Sequence, residues 1–226
     1  MYYTNDQEGI DFQGTVAYTD IYKTVDMPAD EKKGAEKWLS SDEQFNKLYP
    51  LPIQSMAIRH WTPLSVAKKA ADFLAAEKAV RVLDIGSGVG KFCLAAAYYK
   101  PSAFFYGIEQ RKGLTGFAEH AKGVLQLENV SFFNANFTLL DFNKYDHFYF
   151  YNAFYENLAG TDKIDDSIEY SGELYNYYNR ILFKQLEQKQ AGTRLATYHS
   201  LEDEIPPEYH VVGSGCDNLL KFWIKI

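Results

Sequence analysis

Two hydrophobic rhythms alternate along this chain. Short apolar runs rich in β-branched and aromatic residues read as buried strands, and segments with apolar residues three and four apart read as helices. Both are clearest between Val80 and Glu109. The run Val80-Arg81-Val82-Leu83-Asp84-Ile85 stops at glycines 86, 88 and 90, an alanine-rich helical stretch follows, and Phe104-Phe105-Tyr106-Gly107-Ile108 forms a strand that ends on Glu109. Beyond it, Leu114 to Leu127 is predicted to be a helix, Val130 to Phe133 a strand and His147 to Tyr151 a fourth strand. Asp166 to Gln190 reads as an amphipathic helix with Leu174, Tyr178, Ile181, Leu182 and Leu186 facing inward. Arg194 to Tyr198 is a fifth strand, and a turn-forming stretch, Gly213 to Asn218, separates Tyr209–Val212 from Leu219–Ile224. Strands and helices in alternation predict an α/β domain.

The N-terminal part has a different texture. Met1 to Asp26 is polar, and the alternation in Thr15 to Tyr22 fits a short strand or a loosely ordered arm equally well. Asp30 to Leu48 is charged and helix-favouring, with Ala35, Trp38, Leu39, Phe45 and Leu48 roughly on helical spacing, and Pro50 and Pro52 close it. We expect residues 1–59 to form an extension packed over one end of a catalytic domain spanning 60–226. Trp61-Thr62-Pro63 reads as a helix start, with Thr62 as cap, Pro63 in the first helical position and Val66, Ala70, Phe73 and Leu74 as the buried stripe.

The chemistry concentrates in the glycine unit. Glycines at a strand-to-helix turn admit positive φ and close approach of backbone to ligand. The helix behind them presents unpaired N–H groups and a positive dipole end to an anionic group. Glu109, at the next strand end, is placed to accept hydrogen bonds from both hydroxyls of a ribose. An adenosine-containing molecule suits such a unit, and spacing separates the candidates. The dinucleotide fingerprint G-x-G-x-x-G needs a glycine where Lys91 stands. Gly86 to Lys91 is one residue short of a phosphate loop, and Phe92 replaces its Mg²⁺-binding hydroxyl. Asp84 would repel a pyrophosphate but suits the ammonium of an amino-acid-bearing cofactor.

The segment Asp84-Ile85-Gly86-Ser87-Gly88-Val89-Gly90, with Glu109, resembles the class I S-adenosylmethionine-dependent methyltransferases from about Trp61 to the C-terminus. The resemblance implies a Rossmann-like sheet, mostly parallel with an antiparallel last strand, flanked by helices and here preceded by a partly helical extension. It implies S-adenosyl-L-methionine as cofactor. Asp84, Gly86, Ser87, Gly88 and Gly90 would hold the methionine half, and Glu109, with Gln110 beside it, the ribose. Trp61 and Thr62 are similar to an N-terminal cofactor-contacting motif of the family. Asn136-Phe137 stands where the family often carries an acid next to an aromatic to read adenine, with an amide in the acid's place.

Asn152-Ala153-Phe154-Tyr155 lies at the end of the fourth strand, and ligands of open α/β sheets sit at carboxyl ends of strands. It is similar to the Asn-Pro-Pro-Tyr signature of amino-group methyltransferases, without the prolines, and to the Asn-x-Phe segment of Dot1-type lysine methyltransferases. Asn152 is therefore a candidate both to touch the cofactor and to orient an amine, Tyr155 to stack on or face the acceptor, and His199 or His60 to act as base. N-methylation of an amine leads. O-methylation of a small molecule with His199 as base is the alternative, and a cofactor-binding module without activity is a third reading.

Composition narrows the partners. With 23 basic and 30 acidic residues, a net of −7, general phosphate-backbone binding is disfavoured, so the unknown acceptor is expected to be a protein or small molecule before a nucleic acid. Two cysteines, Cys93 and Cys216, make no disulfide framework and point to a reducing cytoplasm. No apolar run reaches the roughly 18 residues of a membrane span. No signal-peptide pattern opens the chain. No Cys or His cluster has metal-ligand spacing.

Overall fold

A computed structural model describes residues 34–200 and 202–226. The strand or arm expected at Thr15–Tyr22 lies outside them. Seven strands form one sheet in the order β3-β2-β1-β4-β5-β7-β6. They are β1 (Arg81–Ile85), β2 (Phe104–Glu109), β3 (Val130–Asn134), β4 (His147–Phe150), β5 (Arg194–Tyr198), β6 (Tyr209–Gly215) and β7 (Leu220–Lys225). The first five run parallel, and β7 is antiparallel to both β5 and β6. This is the mostly parallel, Rossmann-like sheet with an antiparallel last strand that the resemblance implies. The order reverses beside β1, whose Leu83 pairs with Tyr106 of β2 on one side and Phe148 of β4 on the other. A ligand crevice forms at such a switch point.

The helices among the described residues are α1 (Gly34–Trp38), α2 (Asp42–Asn46), α3 (Leu51–Gln54), α4 (Ala57–His60), α5 (Leu64–Leu74), α6 (Lys91–Tyr99), α7 (Lys112–Leu125) and α8 (Gly172–Glu187). Strand alternation sorts β1 onto two faces. Leu83 and Ile85 join a core with Phe148, Phe150, Tyr178, Leu182, Leu186 and Trp223, under α8. Asp84 points the other way, toward Cys93 on α6, where Phe92 stacks on Tyr149 at 3.8 Å. Strands buried on both faces are apolar almost throughout, which makes Asp84 conspicuous.

Several elements differ from the sequence reading. Asp30–Leu48 is interrupted: α2 starts afresh because Ser41 accepts a hydrogen bond from Gln44 N. Thr62 does not cap α5. Its hydroxyl is hydrogen-bonded to Tyr149 at 3.0 Å, Pro63 stands in the cap position rather than inside the helix, and Asp42 Oδ1 accepts from Leu64 N. Phe73 is only half-buried, its ring 4.9 Å from Phe222, and Leu64, Ala67 and Ala71 complete the stripe. α8 begins at Gly172, since Ser171 caps it through Leu174 N, so residues 166–171 extend the loop after β4. Tyr151 leaves the β4 ladder, and that departure turns its ring toward the site.

Candidate cofactor and active site

Glu109 organises the strand ends. Its Oε2 accepts from Gly88 N at 3.1 Å and its Oε1 from Arg111 N at 2.9 Å. Gly86 N and Ser87 N both donate to Ile108 O at 3.0 Å, so the turn is fastened to β2 before any ligand is considered. Two of its glycines serve different ends. A Cβ on Gly86 would lie 2.3 Å from Ala153 Cβ, so only glycine lets β1 and the β4 tip meet. Gly88, at φ +53°, would point a Cβ into open space, on the wall of a cleft of about 580 Å³.

Asp84 is buried behind the turn, where Cys93 Sγ donates to its carboxylate at 3.5 Å. Burial pushes its pKa up to about 8, which the Cys93 bond opposes and the Glu109 charge reinforces. Burial likewise raises Glu109, against the hydrogen bond from Arg111 N and the Arg111 charge. An acid kept this far from water is costly unless a cation arrives to meet it. Asp84, Thr62, Trp61, Ser87 and Tyr149 border a small cavity of about 30 Å³. Ser87 Oγ is buried and has no hydrogen-bond partner among the described residues.

On the far side of Glu109, a second cavity of about 40 Å³ is bordered by Gln110, Phe137, Ala153 and Tyr178. Asn136 is committed locally. Its carbonyl accepts from Thr138 N, and its amide donates to Gln110 Oε1 at 3.2 Å and Tyr178 Oη at 3.1 Å. Gly86 borders both small cavities and the main cleft.

At the tips of β4 and β5 the character changes. Asn152 (φ +40°) and His199 (φ +57°) are both left-handed, and both line the main cleft. The Asn152 side chain makes no hydrogen bond among the described residues, while the backbone carbonyl of Asn152 accepts from Tyr155 N. Strained backbone of this kind collects at functional sites. The Tyr151 ring stacks on His199 at 5.7 Å and its hydroxyl donates to Arg59 O. Tyr155 is 49% exposed on the rim. Burial lowers the pKa of His199, and burial does the same for His60, so both imidazoles are held toward the neutral form.

Sequence reasoning missed Arg111, which ties the post-β4 loop to β2. Its guanidinium reaches Glu156, Asp165 at 3.2 Å and Tyr170 at 2.7 Å, with Glu109 Oε1 at 3.5 Å. Burial opposes its charge, but Glu156 and Glu109 outweigh that and raise its pKa. Its place two residues after Glu109 was the available signal.

The profile of a family described as methyltransferase domain matches residues 76–209. Among solved structures, the chain is similar to TrmN from Thermus thermophilus, with a TM-score of 0.52, 16% identity and 77% of this chain covered. The match spans 52% of TrmN, about half its length. It is also similar to an S-adenosylmethionine-dependent O-methyltransferase from Thermotoga maritima, with a TM-score of 0.52, 15% identity and coverage of 78% of this chain and 72% of that one. No curated protein matches the chain. The family match spans more than half of the sequence, so the chain belongs to the methyltransferase-domain family. Its fold and family are those of the class I methyltransferases, and S-adenosyl-L-methionine is the cofactor that family uses. The residues present fit that cofactor: an open cradle at Gly88, an acid at the β2 end and a buried acid behind the turn.

Proposed function

We propose that this methyltransferase N-methylates an amine held at the β4 tip, and that Asn152 orients it. The observation that carries this reading is the uncommitted Asn152 amide on the cleft wall, in left-handed backbone one residue from the Ala153–Gly86 contact. Asp84 would take the methionine ammonium, Glu109 the ribose hydroxyls, and Ala135 to Phe137 with Gln110 the adenine side. When bound, the sulfonium supplies a methyl group already activated for in-line displacement. The protein's own work is then positioning and exclusion of water. The Asn152 carbonyl accepts an acceptor N–H and turns the nitrogen lone pair toward the cofactor side of the cleft. Tyr151 and Tyr155 give the acceptor aromatic walls. His199, kept toward neutral, is available for the proton that the methylated amine gives up.

The same histidine supports a second reading, O-methylation, in which it removes a hydroxyl proton before transfer. Product chemistry separates the two. Labelled methyl transferred from the cofactor into a cell extract is recovered on nitrogen in the first case and on oxygen in the second.

The geometry also chooses the variant. Alanine at position 152 would add left-handed strain of about 1 kcal/mol, whereas glycine deletes the amide without it. Asn152→Gly should lower turnover by roughly 30- to 800-fold, the cost of about 2–4 kcal/mol for one orienting hydrogen bond, with cofactor affinity within a few-fold of wild type. Full turnover in a folded Asn152→Gly protein would remove Asn152 from the mechanism.

A further inference from the structure

Lys91 opens α6 directly behind the glycine turn, and only 4% of it is exposed. An ammonium withdrawn from water needs acceptors for its three donors. Two acceptors are in place: Asp42 Oδ1 at 2.6 Å and Asn46 Oδ1 at 3.2 Å. The rings of Phe45 and Trp61 stand around it, 5.3 and 5.7 Å from Nζ. No third acceptor is bonded to Nζ among the described residues. Burial lowers the Lys91 pKa, and Asp42 works against that.

The small cavity beside Asp84 is also bordered by Lys91. One buried acid and one buried cation therefore face a single space that shares Gly86 and Tyr151 with the main cleft. A pair of opposite charges across a narrow cavity is complementary to an amino-acid zwitterion, whose ammonium and carboxylate sit on one carbon. With Asp84 assigned to the ammonium, the carboxylate is left for the opposite charge. A first-turn position adds the favourable end of the α6 dipole.

We propose, on the reading of Asp84 given above, that Lys91 binds the α-carboxylate of the cofactor's methionine half. The N-terminal segment is then part of the cofactor site. Asp42 and Asn46 hold the ammonium in place, Asp42 also caps α5 through Leu64 N, and Tyr49 Oη donates to Val89 O inside the glycine turn at 3.0 Å. The lysine that breaks the dinucleotide fingerprint becomes the residue that recognises an amino-acid cofactor.

The test is calorimetry on the full chain with two ligands that differ only in the carboxylate: S-adenosylmethionine and its decarboxylated form. In Lys91→Met, affinity for S-adenosylmethionine should fall about 10- to 100-fold, as expected for one charge-assisted hydrogen bond, while affinity for the decarboxylated ligand stays within about twofold. Lys91→Arg should restore part of the preference. Equal losses for both ligands would mean that Lys91 only supports the turn, and no loss for either would mean that it does not meet the ligand; both results overturn the proposal. The wild-type arm reports on the underlying reading by itself. Wild-type protein that binds neither ligand would dispose of the cofactor site and of Lys91's role together.

Discussion

The two halves of the cleft are built on opposite plans. On the β1–β2 side, the turn donates twice to Ile108, Glu109 accepts from two backbone N–H groups, and Arg111 is held by three carboxylates and a tyrosine. On the β4–β5 side, Asn152 and His199 sit in left-handed backbone, the Asn152 amide has no partner among the described residues, and Tyr155 is half in solvent. The first half is pre-organised for one ligand, which lowers the ordering cost of binding it. The second keeps polar groups free for a partner the protein must still select. A methyltransferase needs this division, because its donor never changes and its acceptor defines the enzyme.

The largest effect that would break the comparison is expected at Glu109. Glu109→Ala removes the proposed acceptor of two ribose hydroxyls and orphans Gly88 N and Arg111 N. Cofactor affinity should fall about 100- to 1000-fold, since two charge-assisted bonds are worth roughly 3–4 kcal/mol together after partial compensation by water. Calorimetry showing affinity within a few-fold of wild type would mean that the ordered half serves only the fold.

A smaller contrast lies within the turn. Gly86→Ala and Gly88→Ala add the same methyl group two residues apart. The first collides with Ala153 Cβ at 2.3 Å, where the halves meet, and should cost more than about 3 kcal/mol because both strands must shift. The second meets open space and should cost only the left-handed strain, about 1–2 kcal/mol, or a few degrees in Tm. Thermal melts giving equal losses would show that the contact between Gly86 and Ala153 carries no weight.

The same division explains what could be read in the chain. The turn, Asp84 and Glu109 are local, set by one strand-turn-helix-strand unit, so spacing alone located them. The inner strands β1, β4 and β5 were legible because both of their faces are buried. Thr62 was assigned to a cap because local rules favour it, but a tertiary partner, Tyr149, claimed its hydroxyl while Asp42, 22 residues before Leu64, took over the capping. The burial of Lys91 and the role of Arg111 escaped notice for the same reason. Most of their partners lie 45 to 59 residues distant, and for Arg111 only the neighbouring Glu109 hinted at a buried charge. Asn136 was expected to read adenine through its carbonyl, and its further bond from Thr138 N, which fastens its own turn, was not foreseen.

The central claim, that a buried acid behind the glycine turn meets the ammonium of the cofactor, is tested most directly by the pH dependence of S-adenosylhomocysteine binding. Asp84 has its pKa raised from 3.8 to about 8 in the free protein, where Cys93 and Glu109 are the groups that bear on it. A raised folded pKa contributes stability that is complete below 3.8 and is lost as pH climbs through about 8, so Asp84→Asn should melt above wild type at pH 8 without ligand. Binding has the opposite sign, because the carboxylate must be charged to receive the ammonium. Wild-type affinity should rise about tenfold per pH unit from about pH 6 to about 7.5. It should then level off as pH passes the Asp84 pKa of about 8. Asp84→Asn should bind about 10- to 100-fold more weakly near pH 8, with no such rise. A flat wild-type profile, or one shared by Asp84→Asn, would contradict the account.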